Sequence, residues 1–271
     1  MTYEGFAELE RQGWASDDIA AGYVDLFTPA SDLAISNLVA DIGRGEHVLD
    51  LCCGQGSVSE ALLNRGVNVV GADFSTVMLK HARRRVPAGT FVEADAQDLN
   101  FANAEFDSVV CNFGVLHIPD QPRALDEIRR VLKPGGQFAM TAWCGPNVSP
   151  AFQVFYGCVQ EFGSPQVVMP DGPNFHQFAD TATAKSILND AKLLMRSHEQ
   201  VDCYWTLSAP DELAEIFEKG APRGGYLLTQ QPNESRSAIK EAVTQKVRER
   251  FAQGDGWHVP IPAALIKAVA V

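Results

Sequence analysis

Apolar residues along this chain fall into short unbroken runs separated by stretches in which they recur three and four positions apart. Val48–Cys52, Val67–Ala72, Thr90–Ala94, Phe106–Phe113 and Gln137–Trp143 are runs of strand length. Between them, Val58, Ala61 and Leu62, then Val77, Met78, Leu79 and Ala82, then Leu125, Ile128 and Leu132 mark one face of a helix each. Strands that are apolar on both faces and alternate with helices imply a parallel sheet covered on both sides. Right-handed crossovers then make it doubly wound. Ser75 can cap the helix after the second strand. Lys133-Pro134-Gly135-Gly136 is expected to be a turn, because proline cannot continue the preceding helix and glycine permits positive φ.

The two ends of the chain are less regular. Residues 1–45 read as helical, with Ser31-Asp32 capping a helix through Ile35, Leu38 and Val39. Trp14, Tyr23 and Phe27 fit either a lid over a site or a helix packed on the sheet edge. Residues 145–180 are rich in Pro, Gly and Phe. Thr181–Met195 reads as a helix and Glu199–Leu207 as an exposed strand. Pro210–Lys219 and Ser235–Phe251 read as helices. Trp257–Val269 reads as a last strand that Pro260 and Pro262 confine to an edge or a bulge. No boundary frees the second half, so one domain is expected over 1–271: a helical lid (1–45), a cofactor-binding core (46–145) and a substrate cap with the final strands (146–271).

Charge narrows the partners. Acids outnumber bases 34 to 22, for a net charge of -12. Such a surface repels a nucleic-acid duplex or an anionic membrane. The densest basic run, His81-Ala82-Arg83-Arg84-Arg85, suits the last turn of a helix, where the dipole favours cations. None of the six cysteines forms a C-x-x-C pair, and no His/Cys cluster has zinc spacing. Reduced thiols, no metal and a cytoplasmic location are expected, with no signal peptide and no apolar stretch of membrane-spanning length. A homodimer is entertained.

In a doubly wound sheet, ligands bind beyond the carboxyl ends of the strands. The polar residues placed there are Asp50 with Gly54-Gln55-Gly56, then Asp73-Phe74-Ser75, Asp95-Ala96-Gln97, and Asn112-Phe113-Gly114 followed by His117. Gly54 and Gly56 let the backbone turn tightly against a ligand. Asp73, seventeen residues after Gly56, can accept from both hydroxyls of a ribose. Phe74 can lie on an adenine, Asp95 can accept from its amino group, and the Ala96 amide can donate to a ring nitrogen. This points to an adenosine ligand and leaves NAD and S-adenosylmethionine open. The dinucleotide fingerprint G-x-G-x-x-G is incomplete, because Ser59 holds the third position. Asp50, Asp73 and Asp95 suit a cationic cofactor better than a diphosphate.

HVLDLCCGQG, VVGADFS, FVEADAQDLNFANAEFDSVVCNFGVLHI and LDEIRRVLKPGGQFAMTAW, in this order and spacing, resemble the motifs of class I S-adenosylmethionine-dependent methyltransferases. The small-molecule group related to the ubiquinone/menaquinone-biosynthesis methyltransferases is the most similar. The resemblance covers residues 45–145 and is looser beyond. It implies a Rossmann-like seven-stranded sheet with an antiparallel last strand, Glu199–Leu207 and the final segment supplying strands six and seven. It further implies that Asp50 and the Gly54–Gly56 loop hold the methionine part of the cofactor. Asp73 would take the ribose, Asp95 and Ala96 the adenine, while Asn112 and Phe113 line the methionyl side. Cys52 stands where the family has glycine or alanine, so a negative φ is expected there.

Methyl transfer needs alignment and a dry pocket, and a base only for a weak nucleophile. His117 is the best-placed base; the plainer alternative is a histidine that only shapes the pocket or caps the next helix. His176 lies in a loop offered as part of a lid. Phe152, Phe155, Tyr156, Phe162, Phe175 and Phe178 form an aromatic set that suits an apolar or aromatic acceptor or, more plainly, the core of a cap. Tyr23 and Trp143 join Phe152, Phe155, His117 and His176 as acceptor-side candidates. Methylation of a small molecule on O, N or C is the main reading. Alternatives are a cofactor-bound enzyme of other chemistry such as cyclisation, an NAD-dependent oxidoreductase, and a non-catalytic subunit.

Overall fold

The computed structural model describes residues 3–271. Among the described residues, ten strands form two sheets. The large sheet holds β1 (His47–Leu51), β2 (Asn68–Asp73), β3 (Thr90–Glu93), β4 (Phe106–Asn112), β5 (Leu132–Trp143), β6 (Leu193–Val201) and β10 (Ala263–Ala270). The small one holds β7 (Tyr204–Leu207), β8 (Ala252–Gln253) and β9 (Gly256–Pro260). The large sheet runs β3-β2-β1-β4-β5-β10-β6. Its first five strands are parallel neighbours, and β10 lies antiparallel to both β5 and β6. The expected seven-stranded sheet with an antiparallel last strand is therefore present.

The core strands carry it because their apolar residues face helices on both sides. Val48, Leu49, Val109, Val110, Phe138 and Met140 are at most 1% exposed. Of the helices between them, the one after β2 starts on its predicted cap. Ser75 Oγ accepts from Met78 N–H, and Ser57–Asn64 begins directly after Gly56, whose φ of 83° turns the chain out of β1.

Several boundaries differ from the sequence reading. The helix expected over Thr181–Met195 stops at Asp190; Lys192, at φ 56°, turns the chain into β6. Glu199–Leu207 is not one strand. Its first part completes β6 on β10, and β7 belongs to the small sheet. The last strand is likewise split at Ile261-Pro262, with β9 pairing with β7 and β10 joining β5 and β6. Pro262 sits in the gap, where no ladder hydrogen bond is lost. Lys133–Gly136 is not a free turn but the irregular start of β5, where the register with β4 shifts. Ser31-Asp32 caps nothing: helical backbone runs on from Thr28, and Ser31 Oγ donates back to the Thr28 carbonyl. No helix among the described residues is long and apolar enough to cross a membrane.

Candidate functional site

A cavity of about 510 Å³ opens at the carboxyl ends of β1, β2, β3 and β4, within the range of cofactor and small-molecule sites. The N-terminal helices and the segments after β5 complete its wall. Of the residues singled out in the sequence, Asp50, Gly54, Asp73, Phe74, Asp95, Ala96, Asn112, Phe113, His117, Tyr23, Trp143, Phe152 and Phe155 line it. Four do not behave as expected. Gly56 is not in the wall; it starts the helix behind it. His176 lies one layer back, bonded through Nδ1 to the Trp143 carbonyl at 3.0 Å, with its ring 4.9 Å from that of Phe152. Burial lowers its pKa, so it packs as a neutral imidazole. Phe162 is exposed and Phe178 is wholly buried in the core, so neither joins the aromatic wall.

β1 delivers Asp50 into the interior, 1% exposed. Ser59 Oγ donates to Asp50 Oδ2 at 2.6 Å. The serine that breaks the dinucleotide fingerprint thus has a position of its own beside the acid. Asp50 Oδ1 is buried with no hydrogen-bond partner among the described residues. Burial pushes this carboxyl up to about 7, against the lowering effect of Ser59. An unpartnered buried acid at the cavity wall is the acceptor that an ammonium group requires. Asp73, at the end of β2, accepts from the amides of Gly54 (2.9 Å) and Ser75 (2.8 Å). These bonds tie the loop after β1 to the loop after β2 and fix the carboxylate at the wall. Burial raises its pKa too. Asp95 is held by Gln97, whose backbone amide donates to it at 2.8 Å.

The loop after β1 contains the main local surprise. Cys52 has φ 55°, not the negative value expected. The chain must turn left-handed here so that Cys53 N–H can still reach the Ala72 carbonyl at 3.0 Å. For a non-glycine residue this costs about 1 kcal/mol. The Cys111 thiol and burial hold the Cys52 thiol well above its ordinary range, so it is no nucleophile. Phe113 is also left-handed, at φ 59°, and stacks on Trp143 with centroids 3.7 Å apart.

The N-terminal residues close the cavity from above. Trp14, Tyr23 and Phe27 all line it, and Tyr23–Phe27 is a π-helical turn, a feature frequent at functional sites. Burial pushes the Tyr23 hydroxyl up to about 12. Among the wall residues that the sequence reading did not single out are Glu10 and Arg223. Glu10, 3% exposed, accepts from Trp14 Nε1 at 3.1 Å and lies 2.9 Å from His117 Nδ1. Arg223 comes from the helix Pro222–Thr229. Helical spacing hides Glu10 among exposed acids, and nothing near Arg223 in the sequence marks it.

The doubly wound sheet, with acids at the ends of three parallel strands and an antiparallel final strand, defines the nucleoside-cofactor enzymes of the methyltransferase type. The methyltransferase-domain family model matches residues 49–140. The chain is 42% identical over 119 residues to a demethylmenaquinone methyltransferase of Clavibacter sepedonicus, covering 43% of this chain and 48% of that protein. An uncharacterized protein of Mycobacterium tuberculosis is 34% identical over 256 residues, covering 92% of this chain and 90% of that one. A candidate methyltransferase from Bacillus halodurans, 23% identical, shares the fold with a TM-score of 0.58 over 89% of this chain and 99% of that chain. The chain belongs to the class I S-adenosylmethionine-dependent methyltransferases, and S-adenosylmethionine is its cofactor. It spans about half the length of the demethylmenaquinone methyltransferases it matches.

Proposed function

We propose that the protein methylates a small apolar or aromatic organic molecule. The observation that carries this is the chemical division of one cavity. Asp50, Asp73 and Asp95 line the strand-end half, and Phe152, Phe155, Tyr156, Phe175 and Phe217 line the other. The first half suits a cofactor with an ammonium and a sulfonium; the second suits a planar, weakly hydrated acceptor. When bound, S-adenosylmethionine supplies an electrophilic methyl group for in-line displacement.

In this reading Asp50 accepts from the cofactor's ammonium group while Gly54 lets the backbone approach it. Asp73 binds the ribose hydroxyls, Phe74 covers the adenine, and Asp95 with the Ala96 amide reads its edge. Asn112 and Phe113 line the methionyl side. Tyr23, Trp143, Phe152 and Phe155 exclude water from the acceptor. His117 takes the acceptor proton at Nε2, and Glu10 holds its Nδ1–H, fixing the tautomer. Gly56 and His176 act through others, by starting a helix and by backing Trp143. The first 45 residues form the lid of a single catalytic unit.

Calorimetric titration with S-adenosylmethionine, S-adenosylhomocysteine and NAD tests the cofactor half. The first two are expected to bind and NAD is not. Asp73→Ala removes two ribose bonds to a charged acceptor, at about 1.5–3 kcal/mol each, and should weaken S-adenosylhomocysteine at least about a hundredfold. An unchanged affinity would sink the assignment. A mass gain of one methylene equivalent in the product separates methylation from cyclisation.

A further inference from the structure

Among the described residues, Arg223 has no charged side chain paired with it. Its guanidinium lies over two aromatic rings, 4.7 Å from the Phe175 centroid and 5.3 Å from that of Phe6. Its Nη1 is buried and has no acceptor among the described residues, and the side chain lines the cavity. The other arginine in the wall, Arg11, is paired with Glu8 at 2.6 Å.

Stacking on rings satisfies the charge of a guanidinium in part but accepts none of its N–H bonds in the ring plane. A buried N–H without an acceptor is unfavourable. The position adds a further cost. Arg223 stands in the first turn of Pro222–Thr229, where the helix dipole disfavours a cation. Three unfavourable features in one residue call for a ligand that relieves them.

The surroundings say what kind of ligand. Of the acids in the cavity wall, Asp50, Asp73, Glu93 and Asp95 stand at or next to the strand ends, Asp32 lies on the N-terminal segment and Glu10 is engaged by Trp14 and His117, whereas Arg223 touches the aromatic half. Phe175, which carries the guanidinium, also packs edge-on to His117 with centroids 5.4 Å apart. The cation and the histidine therefore flank one ring, a spacing that a single acceptor can bridge.

We propose that Arg223 binds a carboxylate on the methyl acceptor, which makes the acceptor an aromatic carboxylic acid. The inference rests on the reading of this cavity as a methyl-transfer site. A planar guanidinium offers two parallel N–H bonds to a carboxylate but only one to the corresponding neutral amide, whose NH2 group is itself a donor. The ring of the acceptor would lie between Phe152 and Phe175, with the methylated atom toward His117.

The test is a titration of the full chain, saturated with S-adenosylhomocysteine, with matched pairs: benzoate and benzamide, phenylacetate and phenylacetamide, 2-naphthoate and 2-naphthamide. At least one acid should bind at least about tenfold tighter than its amide, as expected of a charge-assisted contact. In Arg223→Met the preference should fall to within about twofold, and in Arg223→Lys part of it should remain. S-adenosylhomocysteine affinity should be unchanged in both. If Arg223→Met does not melt cooperatively, Arg223→Gln carries the same comparison. Binding of no acid, equal binding of acid and amide, or a preference that survives the loss of the guanidinium overturns the proposal. So does loss of S-adenosylhomocysteine binding in a folded variant, which would put Arg223 on the cofactor's own carboxylate. If the unaltered protein fails to bind S-adenosylhomocysteine, the cofactor half is misread; the acid-over-amide preference, titrated without it, still decides Arg223.

Discussion

At the scale of single residues, Asp50 shows how burial and function meet. Its carboxyl is shifted from an ordinary 3.8 up to about 7, chiefly by burial. The sign follows from proton linkage. Between about pH 4 and 7 the folded chain holds a proton that the unfolded chain has released, so this group costs stability as pH rises through that window. Above 7 the cost is constant. Under the proposed role of Asp50, cofactor binding runs the other way, because an ammonium group needs the ionised acid. S-adenosylhomocysteine affinity should therefore fall as pH drops below 7, by up to about tenfold per unit. Asp50→Asn should bind weakly and flatly across pH 5.5–8. Calorimetry over that range checks both, and an equally steep fall in the variant would remove Asp50 from the linkage.

At the scale of elements, polar contacts from the sheet and its loops pin the N-terminal helices. Ser75 makes one of them: its hydroxyl donates to the Trp14 carbonyl at 2.6 Å while accepting from Met78 N–H at 3.1 Å. Ser75→Ala removes a helix cap and leaves a buried carbonyl unpaired, together about 2 kcal/mol. For a chain of this size that is a fall of about 4–8 °C in Tm. Amide exchange in Glu4–Trp14 should quicken more than exchange in β1. A uniform change across both would mean that the helices do not open separately. The sequence showed Ser75 as a cap but not as a latch, because its second bond spans sixty-one positions.

At the scale of the whole molecule, the two halves are joined through β10, which pairs with β5 on one side and β6 on the other. Ala263, Ile266 and Ala268 of β10 are at most 2% exposed. Removing residues 263–271 would leave two long strand edges open and part of the core wet. The expected result is loss of the near-UV circular dichroism signal and of a cooperative melt. A shortened chain that still melts sharply would show that β1–β5 fold alone.

The parallel half of the sheet and its polar strand ends were legible from the sequence because each depends on residues close together. Apolar runs and helical spacing report local burial, and the acids of Asp50, Asp73 and Asp95 follow directly from where each run ends. The second half was legible only in part. Ile187, Leu188, Ala191, Leu194 and Met195 continue a helical spacing, yet pairing with β10 takes the last two into a strand. Nor could spacing show that Cys52 turns left-handed, that Glu10 reaches His117 across 107 positions, or that Arg223 is left without an acceptor. Hydrogen bonds between distant segments, and the absence of one at a buried group, exist only once the chain is folded. The sequence by itself determined the parallel strands and the acids at their ends, because each depends on neighbours along the chain; the tertiary structure decided which distant side chains join them around one cavity.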